Sequence, residues 1–462
     1  MTGTGAMQGA QTPLDRNQIL NECIAESATW KSNNSRNIVM LFDGTGNILG
    51  NAHDTNVVKL LRMLDKDRCK QLVYYDPGVG TNNEFPPLGF FAGLVDFFRK
   101  LGGLALGRGA YQNIAAAYEY LSLNFQEGDR IFVFGFSRGA FTARALAGMI
   151  NMYGLMYSAG LPLIKILVST YFSPDSEDRR KFAGDVRKNF SLFRTPLIYF
   201  TGVWDTVETI GSGFLGGVQI SNPPGVVDKR FVHVRHALAM HETRCKYRPR
   251  RYIPPNFTTQ ESPYRSFDER WFRGVHSDIG GSYVEDGLSN ITLNWMVEQS
   301  AQKGLLFADR NAGLQDGNTP LHDETYGSPL WAWTGLDPRS RRPDDVIDPS
   351  AMPIGAAVPA ACRPLAKKRV AFAFAAYGAF FSAAVVWLAL ESESNDMLFT
   401  DAALFLAFSL WIAYPITSWL RLLARRAILK GNDFSWIPIN AQWLMLASVV
   451  LVGAWLAASY LV

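Results

Sequence analysis

The pentapeptide Gly135-Phe136-Ser137-Arg138-Gly139 carries the clearest chemistry in the chain. It follows the apolar run 130–134 and precedes the alanine-rich stretch 140–147, the order strand, tight turn, helix. A serine in such a turn sits on a sharp elbow, with its hydroxyl raised above the sheet edge. The turn is too crowded for flanking side chains, which accounts for the two glycines. The helix behind the serine adds partial positive charge where an oxyanion would form. The competing reading is a turn whose serine only caps the helix.

A serine nucleophile needs a base to take its proton and an acid to orient that base. When the elbow is of this type, acid and then histidine follow the serine in the chain. The six histidines are His53, His233, His236, His241, His276 and His322. His276 follows the apolar run 271–275 and opens the glycine-containing loop Ser277-Asp278-Ile279-Gly280-Gly281. His53 precedes the elbow, and His322 falls in a Pro/Gly-rich extension. The segment 231–241 reads as a helix, on which His233, His236 and His241 are packing or surface residues. Asp205 ends the strand-like run 196–204, where an orienting acid belongs; otherwise it caps the next segment. Glu208 is the nearest substitute, and Asp278 is a rival with awkward geometry so close to His276. The expected set is therefore Ser137 as nucleophile, His276 as base and Asp205 as orienting acid.

Two backbone N–H groups should hold the oxyanion. One belongs to Arg138; the other to the loop Asp43-Gly44-Thr45-Gly46-Asn47, at Gly44 or Thr45. That loop lacks the Lys-Ser/Thr ending of a phosphate-binding loop. Asp43 could alternatively act as a metal ligand or phosphoryl acceptor, though no partner carboxylates lie near it in sequence. The serine scheme requires neither metal nor organic cofactor.

Strand-like runs at 37–42, 71–75, 130–134, 196–204 and 271–275 alternate with helical segments at 18–31, 55–64 and 110–124. This alternation predicts an α/β chain, an α/β-hydrolase-like doubly wound and mostly parallel sheet. The expected divisions are a polar lead-in over 1–35, a catalytic domain over 36–303, an irregular extension and linker over 304–368, and a membrane region over 369–462. Hydrophobic residues make up 48% and charged residues 19%, a low charge content for a purely soluble chain. The stretches 370–390, 402–420 and 441–462 carry no charge, so about three transmembrane helices are expected. Arg and Lys precede the first span and separate the second from the third, while Glu and Asp lie between the first and second, which places the large domain in the cytoplasm by the positive-inside rule. The alternatives are a buried helical hairpin or delivery into a foreign membrane. The start lacks the layout of a secretory signal peptide. A net charge of +4 implies no nucleic-acid partner, and four scattered cysteines suggest neither zinc site nor disulfide framework.

Several motifs, in order, resemble the catalytic domain of type VI secretion lipase effectors. They are Leu41-Phe42-Asp43-Gly44-Thr45-Gly46-Asn47 with Thr55-Asn56-Val57, Tyr74-Tyr75-Asp76-Pro77-Gly78-Val79-Gly80-Thr81, the elbow itself, Gly202-Val203-Trp204-Asp205-Thr206-Val207, and Gly274-Val275-His276-Ser277-Asp278-Ile279-Gly280-Gly281. The resemblance covers roughly 36 to 330. It implies an α/β-hydrolase that cleaves glycerophospholipid acyl esters through a Ser–Asp–His triad, with Ser137, Asp205 and His276 in those roles. Its partners would be a phospholipid membrane, the glycerophospholipid substrate and, for an effector, a secretion-apparatus or immunity protein. No docking module for that apparatus is recognisable. A generic membrane-anchored carboxylesterase and a non-catalytic membrane-anchored binding protein are the alternatives. Two segments could meet lipid. One is the phenylalanine-rich stretch 86–109, as an amphipathic cap or a packed helix. The other is the basic run Arg244, Lys246, Arg248, Arg250 and Arg251, as a headgroup contact or a solvated loop.

Overall fold

A computed structural model describes residues 16–32, 35–44, 53–78, 103–173, 176–193, 196–207, 230–244, 247–322, 324, 339 and 341–351. Its centre is a seven-stranded sheet, every neighbouring pair of which is parallel. The strands are β1 (Asn37–Phe42), β2 (Gln71–Asp76), β3 (Arg130–Phe136), β6 (Ile198–Trp204), β7 (Phe231–Ala239), β8 (Ser266–Phe272) and β9 (Val346–Ile347), in the order β2-β1-β3-β6-β7-β8-β9. Short strands β4 (Leu155–Met156) and β5 (Ser191–Phe193) form a separate antiparallel pair.

Successive residues of a strand face opposite sides of the sheet, so each inner strand feeds two cores. Ile38, Met40 and Phe42 of β1 pack on one face with Ile131 and Val133 of β3. Helices α3 (Gly103–Asn124), α4 (Arg138–Tyr153), α5 (Ile164–Phe172) and α6 (Glu177–Phe190) cover that face. Val39 and Leu41 pack on the other face with Phe132, Phe134 and Phe136. Helices α1 (Arg16–Ser32), α2 (Asn56–Met63) and α8 (Gly287–Ala301) close it, the first through buried Ile19 and Cys23. The α/β reading with a mostly parallel sheet therefore holds.

The segment 231–241, expected to be helical, instead forms the inner strand β7 over Phe231–Ala239, buried at every position of the strand. A central strand of a parallel sheet is apolar on both faces and shows no alternation. Periodicity cannot separate such a strand from a buried helix. The late strand expected at 271–275 begins earlier, at Ser266, and ends at Phe272. Its first half is only partly buried, because its outer neighbour β9 is two residues long, and this hid it in the sequence. The extension after residue 303 also contributes to the core, through Leu305 and Ala312.

A first compact unit comprises Met1–Ala239, Pro249–Thr319 and Pro343–Ala351; a second comprises Met240–Arg248, Pro320–Arg342 and Met352–Val462. Within the second, buried Glu242 accepts from Arg244 Nε and Nη2 (2.8 and 2.7 Å), and Arg244 also pairs with Glu324 (3.4 Å). Burial pushes the Glu242 carboxyl up, but the Arg244 charge and hydrogen bonds outweigh it and hold the group at about 2. The expected membrane helices of 369–462 lie outside the described residues. Among the described residues no helix is long and apolar enough to cross a membrane.

Two buried histidines of β7 give the fold an acid limit. Burial, aided by the charges of Lys303 and Arg235, drives His233 down to about 2; burial lowers His236 as well. The folded chain keeps both neutral where the unfolded chain binds protons, below a pH of about 6.5. Stability is therefore full above that pH and falls below it, approaching ~1.4 kcal/mol per pH unit for His233, with His236 acting in the same direction. Denaturant midpoints measured from pH 7.5 to 5 should decline with this slope, and His233→Gln should flatten it. A midpoint that is constant from pH 7.5 to 5 would contradict the neutral burial of both rings.

Candidate active site

β3 delivers Ser137 directly into α4, and the serine takes φ 59° and ψ −119°. A non-glycine residue held there costs on the order of 1–3 kcal/mol and persists only where its surroundings enforce it. The enforcement is visible. The Ser137 N–H donates to the Trp204 carbonyl (3.0 Å). A Cβ on Gly135 would lie 2.5 Å from the Gly139 carbonyl oxygen, and one on Gly139 would strike the Phe42 and Asp43 carbonyls. Both glycines are thus required by close backbone approach.

Asp205 ends β6 one strand away, with φ 40°. Its N–H donates to the Ala237 carbonyl (2.8 Å), and its Oδ1 accepts from the Ala239 N–H (3.0 Å). The carboxylate is thereby oriented by the end of β7. His276 opens the short helix α7 (His276–Gly280) beyond β8. Asp278, the rival acid, is used locally: its Oδ2 accepts from the Val275 N–H (2.9 Å).

The structure brings Ser137, Asp205 and His276 together. His276 Nδ1 stands 2.6 Å from Asp205 Oδ2, and Nε2 stands 2.7 Å from Ser137 Oγ. All three residues are buried. A carboxylate can only accept, so Nδ1 carries the proton and Nε2 presents its lone pair to the serine hydroxyl. The Phe136 ring lies 4.7 Å from the imidazole, tilted by 31°, and backs it against rotation. This arrangement can withdraw a proton from Ser137 as its oxygen attacks a carbon.

The other expected groups divide. Arg138 is the first residue of α4, adjacent to the nucleophile. The Gly44 N–H, expected to face an oxyanion, donates instead to Asp43 Oδ1 (2.7 Å). Thr45 lies outside the described residues, as does Glu208. Asp43 is a loop anchor: its Oδ2 also accepts from the Thr55 and Tyr75 hydroxyls (2.8 and 3.1 Å). That satisfies the carboxylate with local donors, unlike the phosphoryl-acceptor role considered for it. Of the basic run, Arg244 is buried against Glu242, and Arg251 pairs with Glu269 (2.8 Å) and with Asp345. These arginines hold the fold together and cannot form the headgroup patch considered above. The phenylalanines of 86–98 lie outside the described residues.

Sequence reasoning missed His236 and Glu269. His236 was assigned to a helix, yet it lies buried in β7 beneath the turn that carries Asp205. The two residues lie on different strands, β7 and β8, paired opposite each other, so no local signal in the sequence joins them.

A parallel α/β sheet with a serine on a strained strand-to-helix turn, joined by hydrogen bonds to a histidine and an aspartate on later strand ends, defines the class. The family described as "T6SS, Phospholipase effector Tle1-like, catalytic domain" matches residues 36–299, more than half of the chain, and the chain belongs to this family. An uncharacterized protein of Saccharomyces cerevisiae, YEL023C, is 34% identical over 251 residues, which is 49% of this chain and 35% of that protein. The chain thus spans about a third of that relative's length. Among solved structures, an uncharacterized protein from Pseudomonas aeruginosa aligns with a TM-score of 0.35 at 18% identity, covering 69% of this chain and 54% of the other. The Tle1 effector bound to the VgrG spike of the type 6 secretion system aligns with a TM-score of 0.33 at 16% identity, covering 65% and 78%.

Proposed function

We propose that the chain is a serine hydrolase of the α/β-hydrolase type that cleaves acyl ester bonds of glycerophospholipids, a phospholipase A activity. The observation that carries this reading is the Ser137–His276–Asp205 hydrogen-bonded chain, with links of 2.7 and 2.6 Å. Membership of a phospholipase effector family supports lipid ester as the substrate class. Ser137 Oγ attacks the ester carbonyl carbon while its proton passes to His276 Nε2. The carbonyl π electrons move onto oxygen, where the Arg138 N–H stabilises the charge, with Thr45 proposed as the second donor. Collapse expels the lysolipid oxygen, which takes the proton from His276. Water then attacks the acyl-serine by the same route and releases fatty acid.

In this reading Asp205 keeps the imidazole in the required tautomer and stabilises its cation. The protein would act at a phospholipid membrane, either anchored by its apolar C-terminal stretches or delivered to a target cell as a type VI secretion effector. In the second case a component of the secretion apparatus and an immunity protein are the proposed partners. Lipid mass spectrometry after incubation of the full chain with mixed phosphatidylcholine, phosphatidylethanolamine and phosphatidylglycerol vesicles tests the chemistry. The expected products are free fatty acid and lysophospholipid in equal amounts. Hydrolysis of p-nitrophenyl esters with intact phospholipid would indicate a generic carboxylesterase and defeat the proposal.

A further inference from the structure

We propose that His236, held by Glu269, is a positioning residue for the Asp205 carboxylate. This inference rests on the serine-hydrolase reading of the Ser137–His276–Asp205 chain. Asp205 and Thr206 form the turn that leaves β6, and both are completely buried. The left-handed φ of 40° at Asp205 is a conformation this residue does not prefer by itself. Something must hold the turn, and His236 lies directly beneath it.

His236 Nε2 accepts from the Thr206 N–H (3.2 Å), and His236 Nδ1 donates to Glu269 Oε2 (2.9 Å). The Thr206 carbonyl accepts in turn from the Arg250 N–H (2.7 Å), so the peptide groups on both sides of Thr206 are fixed. Glu269 is itself braced: Oε1 accepts from Arg251 Nε (2.8 Å) and Oε2 from the Tyr252 N–H (3.2 Å). Arg251 then pairs with Asp345, which also accepts from Trp271 Nε1 (2.8 Å). The Tyr252 ring meets the His236 ring edge-on at 5.7 Å. The charged groups facing His236 are Glu269 from β8, Arg144 from α4 and Asp205 itself.

The role demands one protonation state. An imidazolium would donate from both nitrogens and oppose the Thr206 N–H. Burial keeps His236 neutral by lowering its pKa, despite the opposing influence of Glu269. Glu269 remains the anion that fixes the tautomer: burial pushes its carboxyl up, but the His236 hydrogen bond and the Arg251 charge and hydrogen bond outweigh it and hold the group below the ordinary carboxylate range. The layer thus repeats, one turn below the reacting groups, the carboxylate–imidazole logic of the site above it. Its effect passes through the Asp205 backbone and not through contact with substrate.

The test uses His236→Phe, which keeps ring volume and removes the acceptor, and His236→Gln, whose amide can accept from Thr206 and donate to Glu269. Glu269→Gln keeps volume while placing a donor against one of its present donors. Each full-length variant is followed by thermal melting, by kcat and KM on phospholipid ester, and by the rate of covalent labelling of Ser137 with a fluorophosphonate. A misplacement near 1 Å can cost on the order of 10²-fold. We therefore expect His236→Phe to lose ~10- to 100-fold in both kcat and labelling, with KM within about twofold. His236→Gln should stay within about threefold, and Glu269→Gln should lose roughly tenfold. A purely structural role would lower the melting temperature of all three without this split or this rescue. Labelling of His236→Phe at the wild-type rate overturns the inference. If that variant melts below the assay temperature, unchanged labelling of Glu269→Gln does so. A wild-type chain that takes no label defeats the serine-nucleophile reading, and this inference with it.

Discussion

Replacing Ser137 by alanine is expected to lower phospholipid ester turnover by about 10³-fold or more, while leaving the melting temperature close to that of the wild type. The loss corresponds to at least ~4 kcal/mol of transition-state stabilisation. Alanine removes one oxygen from a buried site and with it the bond to His276 Nε2 (2.7 Å). It leaves the backbone bond from residue 137 to the Trp204 carbonyl (3.0 Å) in place. His276→Ala should give a loss of the same order. The double variant should be scarcely worse than either, because a nucleophile without its base, or a base without its nucleophile, performs no step. The measurement is fatty-acid release from vesicles under steady-state conditions, with fluorophosphonate labelling as a second readout. Retention of more than a tenth of wild-type turnover by Ser137→Ala would place the chemistry elsewhere.

What the sequence made legible follows from how local each signal is. The elbow could be read because one pentapeptide holds both the nucleophile and the glycines that permit its turn. Asp205 and His276 could be placed by a rule of chain order, since each closes an apolar run. The contacts that orient them could not be read, because Ala239 and Glu269 reach the site through strand pairing and Arg251 reaches it from the segment between β7 and β8. Parallel strands that pair across a long connection carry no local signature of which residues will stand opposite each other. His236 was misjudged for the same reason: a strand buried on both faces carries the same composition as a buried helix. Asp43 looked reactive only while its donors were unknown; Tyr75 lies on the neighbouring strand β2 and Thr55 beyond the loop. The basic run shows the converse error. Charges counted along a chain suggest a surface, whereas Arg244 and Arg251 are used inside it.

Asp205→Asn is expected to cost about 10³- to 10⁴-fold in kcat, although it changes neither volume nor fold. The reason lies in which donor meets which oxygen. The Ala239 N–H donates to Oδ1 (3.0 Å), so an asparagine there turns its carbonyl oxygen toward Ala239. Its NH₂ group then faces His276 Nδ1, where Asp205 Oδ2 now stands at 2.6 Å. A donor at that point forces Nδ1 to accept, which moves the imidazole proton to Nε2. The ring would then aim an N–H at Ser137 Oγ and could no longer withdraw its proton. Substrate contacts are untouched, so KM should remain within about threefold while kcat and the labelling rate fall together. Asp205→Ala, which leaves the tautomer unforced, should be no more damaging to catalysis despite removing more atoms. If asparagine proved as active as aspartate, the carboxylate would not be choosing the tautomer. Asp205 would then be a structural residue, and the Ser137–His276 pair would act without it.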